Sequence, residues 1–303
     1  MRVAIIDMGT NTFHLLIAEK VNHAHAMIHR DRQAVKLGLA GINQGVITPE
    51  AIGRAVQCLT EFKLTIEAYR ATTTLAFGTS AMRNAKNVAD VLHQIQSHTG
   101  IVPRVITGDQ EAEYIYRGVQ FALNLGDVNS LIMDIGGGSV EFIIGNRTTI
   151  LWKRSLEIGA QRLVERFHRH DPMLLQELAE LDHHFSTVLL PVFDALQQHR
   201  PEVLVGSSGT FDTLSDIFCV TQQIQKLPDD PEIPLTFAGF YEIYQDLLRK
   251  NRAERLQIPG MIEMRVDMIV VACCLIRYII ERYAFRSVRV STYALKEGVL
   301  ASL

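Results

Sequence analysis

Apolar residues along this chain come in short runs, each closed by residues that favour turns. The first run begins almost at once with Val3-Ala4-Ile5-Ile6. From Ile5 to Ala18 the chain reads as an apolar strand ending in Asp7, a turn of Gly9-Thr10-Asn11-Thr12, and a second apolar strand. Two β-rich runs around residues tolerant of positive φ predict a hairpin. The same pattern returns at Ile132 to Gly145, where Asp134 aligns on Asp7, Gly136-Gly137-Gly138-Ser139 on residues 9–12, and Glu141 on His14. We read a duplicated α/β domain, each copy opening with such a hairpin. The boundary falls near Asn124 to Asn129, giving units 1–124 and 125–303, with the two turns facing each other across a cleft.

Strands and helices alternate between and after the hairpins, which predicts α/β layering. Thr48-Pro49-Glu50 opens a helix to about Tyr69, with threonine at the cap and proline at the first position. Thr73 to Phe77 is strand-like, and Gly78-Thr79-Ser80 leads into one helix through about His98, stopped by Gly100. Arg104 to Ile106 is a short strand. Thr107 and Gln110 form a capping box that starts a helix to about Leu123. In the second half, helices are predicted at Ala160 to His168, over most of Pro172 to Gln198, and at Phe237 to Lys250 and Val266 to Tyr283. Strands are predicted at Glu202 to Val205 and Val288 to Ser291. Pro228, Pro231 and Pro234 mark a surface loop.

Composition narrows the class. With 303 residues, 48% hydrophobic and 21% charged, the chain has material for ordinary cores and about two domains, so disorder and solenoids are disfavoured. A net charge of −3 supplies no global field for nucleic acid or a membrane surface. The N-terminus lacks the pattern of a signal peptide, and the apolar stretch Met268 to Ile276 is cut by Arg277, far short of a bilayer span. Cys58, Cys219, Cys273 and Cys274 show neither redox nor zinc spacing, so buried reduced thiols in a cytoplasmic protein are expected.

Turns rich in glycine and small hydroxyl residues aim several N–H groups at one point, a nest for phosphate oxygens. Alone, either turn reads as a plain hairpin turn. Two in register, with a third loop at Gly206-Ser207-Ser208-Gly209-Thr210, favour anion binding. Asp134 and Glu141 should lie opposite each other across the second hairpin, where like charges repel. Either a divalent cation sits between them or both are solvated at a strand end. Glu111, beside Asp109 and Glu113 in the first turn of its helix, suits the helix dipole, and it also suits a general base at the cleft edge. Arg83 opposes the dipole of its helix, which makes sense where an anion binds. Lys153, Arg154, Arg162, Arg166, His168, Arg169 and His170 form either a track for an extended anion or a solvated face, and Arg249, Lys250, Arg252 and Arg255 form a weaker cluster. No Ser-His-Asp signature or nucleotide-binding P-loop is present.

Taken together, Ala4 to His14, Gly78 to Arg83, Ile106 to Ala112, Asp134 to Glu141, Ser155 to Gly159, Gly206 to Thr210 and Ser291 to Leu300 resemble the exopolyphosphatase and guanosine pentaphosphate phosphohydrolase family. The likeness runs nearly end to end, in order. It implies two tandem actin-like (ribonuclease H-like) α/β domains with an interdomain cleft. It also implies release of terminal phosphate from polyphosphate or a guanosine pentaphosphate. By resemblance, Glu111 orients or deprotonates the attacking water, and Asp134 and Glu141 hold Mg2+ or another divalent cation. Gly9, Thr10, Asn11, Arg83, Gly136, Gly137, Gly138, Ser139, Ser208, Gly209 and Thr210 look like the phosphate contacts. A homodimer is also implied. The chain departs from the family pattern at Glu113, Val140 and Lys296, where arginine, threonine and arginine are common. Longer members carry an additional C-terminal helical module, and without it a short-chain or nucleotide substrate is expected. A kinase of the same fold and a non-catalytic polyphosphate or alarmone sensor are the competing readings.

Overall fold

Alternation along the first strand, Arg2–Met8, explains the architecture. In the computed structural model, which describes residues 1–21, 24–227 and 229–303, Val3 and Ile5 face one core while Ala4, Ile6 and Met8 face another. A strand buried on both faces reads as a near-continuous apolar run, here Val3 to Ile6 and Met8, with the acidic Asp7 as the exception near its end.

The N-terminal lobe contains β1 (Arg2–Met8), β2 (Phe13–Val21), β3 (Ala24–Gln33), α1 (Pro49–Ala68), β4 (Thr73–Gly78), α2 (Ser80–Arg83), α3 (Val88–Thr99), β5 (Arg104–Val105) and α4 (Gly108–Ala122). The second lobe contains β6 (Ser130–Ile135), β7 (Val140–Gly145), β8 (Ile150–Leu156), α5 (Ala160–Phe167), α6 (Leu175–Val188), α7 (Leu190–His199), β9 (Val203–Ser207) and α8 (Ser208–Thr221). It continues with β10 (Glu232–Ile233), α9 (Phe237–Arg249), α10 (Arg252–Leu256), α11 (Glu263–Val266), α12 (Ile269–Ile280) and β11 (Ser287–Ser291), after which the chain ends in α13 (Leu295–Leu300).

The first sheet has the order β3-β2-β1-β4-β5 and the second β10-β11-β9-β6-β7-β8. Apart from the added β10, the second repeats the first: an antiparallel meander, then two parallel neighbours. Duplication is therefore visible in topology as well as in sequence. Between the sheets lies a shared core of Ile115 and Val119 from α4, Leu295 and Val299 from α13, Ile5 from one sheet and Ile132 from the other. The chain thus returns at its end to the N-terminal lobe, where α13 packs on α4 and β1.

Several elements differ from the sequence reading. The single helix expected from Ser80 to His98 is two, because Asn87 exchanges hydrogen bonds with the backbone of Ile47 in both directions and pins the break. The helix expected over Val266 to Tyr283 is the shorter α12, Ile269–Ile280, and the one-turn α11 precedes it. Within the proline-rich stretch, Glu232 and Ile233 add a short edge strand to β11, while Pro228 lies outside the described residues. Among the described residues no helix is long and apolar enough to cross a membrane.

Candidate active site

The two hairpin turns are built alike and meet. Gly9 N–H donates to the Thr12 carbonyl and Gly136 N–H to the Ser139 carbonyl, each at 3.1 Å. No residue of either turn has positive φ, contrary to the expectation from their composition. Their glycines serve proximity instead. A Cβ on Gly138 would lie 2.4 Å from both Ser80 Oγ and Thr10 Oγ1, and one on Gly137 would lie 3.2 Å from Thr10 Cβ. The second turn spends its carbonyls on α5: Ala160 N–H donates to Gly136 O and Gln161 N–H to Gly137 O, both at 2.9 Å. Among the described residues, the side-chain oxygens of Thr10, Asn11 and Thr12 are buried without a partner. Buried polar atoms left unpaired are rare and mark places where a ligand completes the set.

Carboxylates close the other side. Asp134 and Glu141 face each other across β6 and β7, as expected, and Asp7 faces His14 at the corresponding place in β1 and β2. Ser208, the first residue of α8, is held at φ 70°, a left-handed conformation costly for a side-chain residue, and its hydroxyl donates to Asp134 Oδ2 at 2.7 Å. Ser155 Oγ donates to Glu141 Oε1 at 2.7 Å. Glu111 enters from the first turn of α4, fixed by the Thr107–Gln110 capping box, and its Oε2 accepts from Arg83 Nη1 at 2.8 Å. The cavity between them is about 80 Å3, with Asp7, both turns, Ser80, Glu111, Asp134, Glu141, Ser208 and Arg265 in its wall.

Burial is the main force on these carboxyl groups. It pushes Asp7 up to about 7 and Glu111 up to about 8, against the opposing pull of Lys296 and Arg83 respectively. Asp134 is raised by burial despite the serine hydroxyls it accepts from, and Glu141 well above its ordinary range by burial and then by Glu111 and Asp134. The native state therefore holds more protons than the unfolded chain between about pH 4.5 and 8, so this site's contribution to stability is full below that window and lost as pH rises through it. Melting in chelator should accordingly show a lower midpoint at about pH 8.5 than at about pH 6. A midpoint that held steady or rose would mean that these carboxylates ionise without cost.

A model of the Ppx/GppA phosphatase family matches residues 16–303. The chain belongs to the Ppx/GppA phosphatase family. It is also similar to the crystal structure of an exopolyphosphatase from Cytophaga hutchinsonii, with 44% identity, 100% of this chain and 97% of that one covered, and a TM-score of 0.97. A Ppx/GppA family member from Aquifex aeolicus matches at 26% identity over 100% of this chain and 97% of its own, with a TM-score of 0.78. The fold is the two-lobed actin-like α/β arrangement, and the protein is a hydrolase of phosphoanhydrides.

Of the residues singled out in the sequence, Gly9, Thr10, Asn11, Glu111, Asp134, Gly136, Gly137, Gly138, Ser139, Glu141 and Ser208 share this one cavity in the Ppx/GppA protein. Arg83, Gly209 and Thr210 do not line it. Arg83 stands in an adjoining cavity with Thr107, Arg154, Ser155 and Glu157. Gly209 makes room for a neighbour, since a Cβ there would lie 2.1 Å from Arg265 Nη2, and Thr210 is buried on α8. Asp7, Ser80 and Arg265 belong to the cavity wall yet were not picked out as site residues. Asp7 was signalled by its alignment on Asp134 and Ser80 by its place in the Gly78 to Arg83 stretch, whereas Arg265 carried no signal.

Part of the basic run is already engaged within the protein. Lys153 pairs with Glu113, and Arg169 with Glu177 and Glu180. Arg162 donates to the carbonyls of Gly138 and Ile42. In the weaker cluster Arg255 pairs with Asp171, and Arg252 with Asp267. For a metal ion the fit is partial: among the described residues no three His, Cys, Asp or Glu side chains converge as a complete set. Asp134 and Glu141 offer two hard oxygen donors, which suits an ion that keeps water and phosphate oxygens as its remaining ligands.

Proposed function

We propose that this protein releases terminal orthophosphate from inorganic polyphosphate, and that guanosine pentaphosphate, cut to tetraphosphate, undergoes the same reaction on a nucleotide. One observation carries the reading: two duplicated turns, the first with unpaired buried polar atoms, line a cavity of about 80 Å3 that also has Glu111 in its wall. The exopolyphosphatase similar to this chain along its whole length supports polyphosphate as the substrate.

In this mechanism the turns at 9–12 and 136–139 hold the terminal phosphoryl oxygens through N–H and hydroxyl groups. Glu111 Oε takes a proton from water as the water oxygen attacks phosphorus, and the anhydride oxygen leaves with its bonding pair on the shortened chain. Asp134 and Glu141 would hold Mg2+ or a similar divalent cation, which neutralises charge on the transferring group. Domains 1–124 and 125–303 supply one turn each. A cytoplasmic location suits four buried free cysteines.

The test is direct. Purified protein with polyphosphate and Mg2+ should yield orthophosphate, and EDTA should abolish the release. ATP formation from added ADP in place of orthophosphate would establish a phosphotransferase, and tight binding without either product a sensor.

A further inference from the structure

Arg83 is held from two sides. Its Nη1 donates to Glu111 Oε2 at 2.8 Å and to the Ile106 carbonyl at 3.2 Å, all within the N-terminal lobe. On its other side, Nη2 and Nε reach Glu157 Oε1 at 3.1 and 3.4 Å. Glu157 comes from the opposite lobe, just beyond the end of β8. Its other oxygen accepts from Ser80 Oγ, again across the cleft, and from Arg162 Nη2 at 3.2 Å. Arg162 in turn donates through Nε to the Gly138 carbonyl at 2.8 Å. One carboxylate thus connects the second phosphate-side turn, the wall residue Ser80 and the arginine that grips Glu111.

We infer that Glu157 is a positioning residue for Glu111, acting through Arg83. The argument rests on the reading of Glu111 as the group that activates water. An arginine has a long, freely rotating stem, and its planar fork is fixed only when both edges are engaged. Glu111 engages one edge and Glu157 the other. With Glu157 gone, that edge of a guanidinium whose side chain is only 17% exposed keeps only a 3.5 Å contact with Ser155 Oγ and feels the pull of Glu141. Turning toward Glu141 draws Arg83 off Glu111 and lets the base drift from the water it must meet. Because Glu157 joins the lobes, the alignment is set only when the cleft is closed, so the base is placed when the two turns are also together.

The experiment is a double-mutant cycle on orthophosphate release from polyphosphate with Mg2+: wild type, Glu157→Gln, Arg83→Gln and the pair. Glu157→Gln should lower kcat roughly tenfold, the scale of one charge-assisted hydrogen bond, with KM within about threefold of wild type. In the Arg83→Gln background the same change should cost less than about twofold, because the route through which it acts is already cut. Glu157→Asp, which keeps the charge but shortens the reach, should fall between wild type and Glu157→Gln. Melting midpoints within about 3 °C of each other separate this from loss of fold. Equal losses in both backgrounds, or a risen KM at unchanged kcat, overturn the inference for Glu157 alone. A wild-type protein that releases no phosphate removes instead the reading of Glu111 on which it stands.

Discussion

Glu111→Gln is expected to slow orthophosphate release roughly 10²- to 10⁴-fold, the range lost with a general base. Glutamine fills the same space, and its amide oxygen can still accept from Arg83 Nη1, so the geometry at 2.8 Å has no reason to break. What disappears is the capacity to take a proton. The same change removes a carboxyl group that burial holds up to about 8, relieving the cost of ionising it. The variant should therefore melt no lower than wild type at alkaline pH, even as its turnover collapses. Steady-state release and thermal melting, measured on one preparation, check both halves. A rate within about threefold of wild type would take Glu111 out of the chemistry.

Gly298→Ala is expected to be the most damaging small change to stability, at about 3 kcal/mol and a melting midpoint roughly 6–10 °C lower. A Cβ on Gly298 would lie 1.7 Å from the Tyr114 carbonyl oxygen of α4, and one on Gly118 would lie 2.0 Å from the Ala294 carbonyl oxygen. The obstacles are backbone atoms, so no side-chain rotation relieves them, and α13 must lift from α4. Because Glu111 sits at the start of α4, release should slow as well, even at temperatures where the protein remains folded. An alanine variant with an unchanged melting midpoint would mean that the two helices are free to separate.

The sequence made the parts of the site with internal repetition legible. Asp134 opposite Glu141, the capping box that sets Glu111, and the paired turns all follow from local spacing, and the structure brings them together. The reason for the glycines was misread, because composition cannot distinguish a backbone needing positive φ from one needing space beside Thr10 and Ser80. β3 and β8 escaped notice because edge strands are wetted and carry mixed polar sequences, as in His29-Arg30-Asp31-Arg32 and Lys153-Arg154. The break between α2 and α3 depends on Asn87 meeting Ile47, a tertiary contact that no window around residue 87 contains. Tertiary contacts also set the parts played by Arg265 and Glu157: Arg265 sits on a one-turn helix with no periodicity, and Glu157, though inside the Ser155 to Gly159 stretch, has every N-lobe partner more than seventy residues away.

The return of the chain to its starting lobe limits how the enzyme can move. The polypeptide passes between lobes once after α4 and again between β11 and α13, so the halves share two tethers. A body on two tethers pivots about the line that joins them and resists twisting about any other. Substrate entry should follow a clamshell path, parting the turns while the buried α4–α13 pair stays still as the spindle.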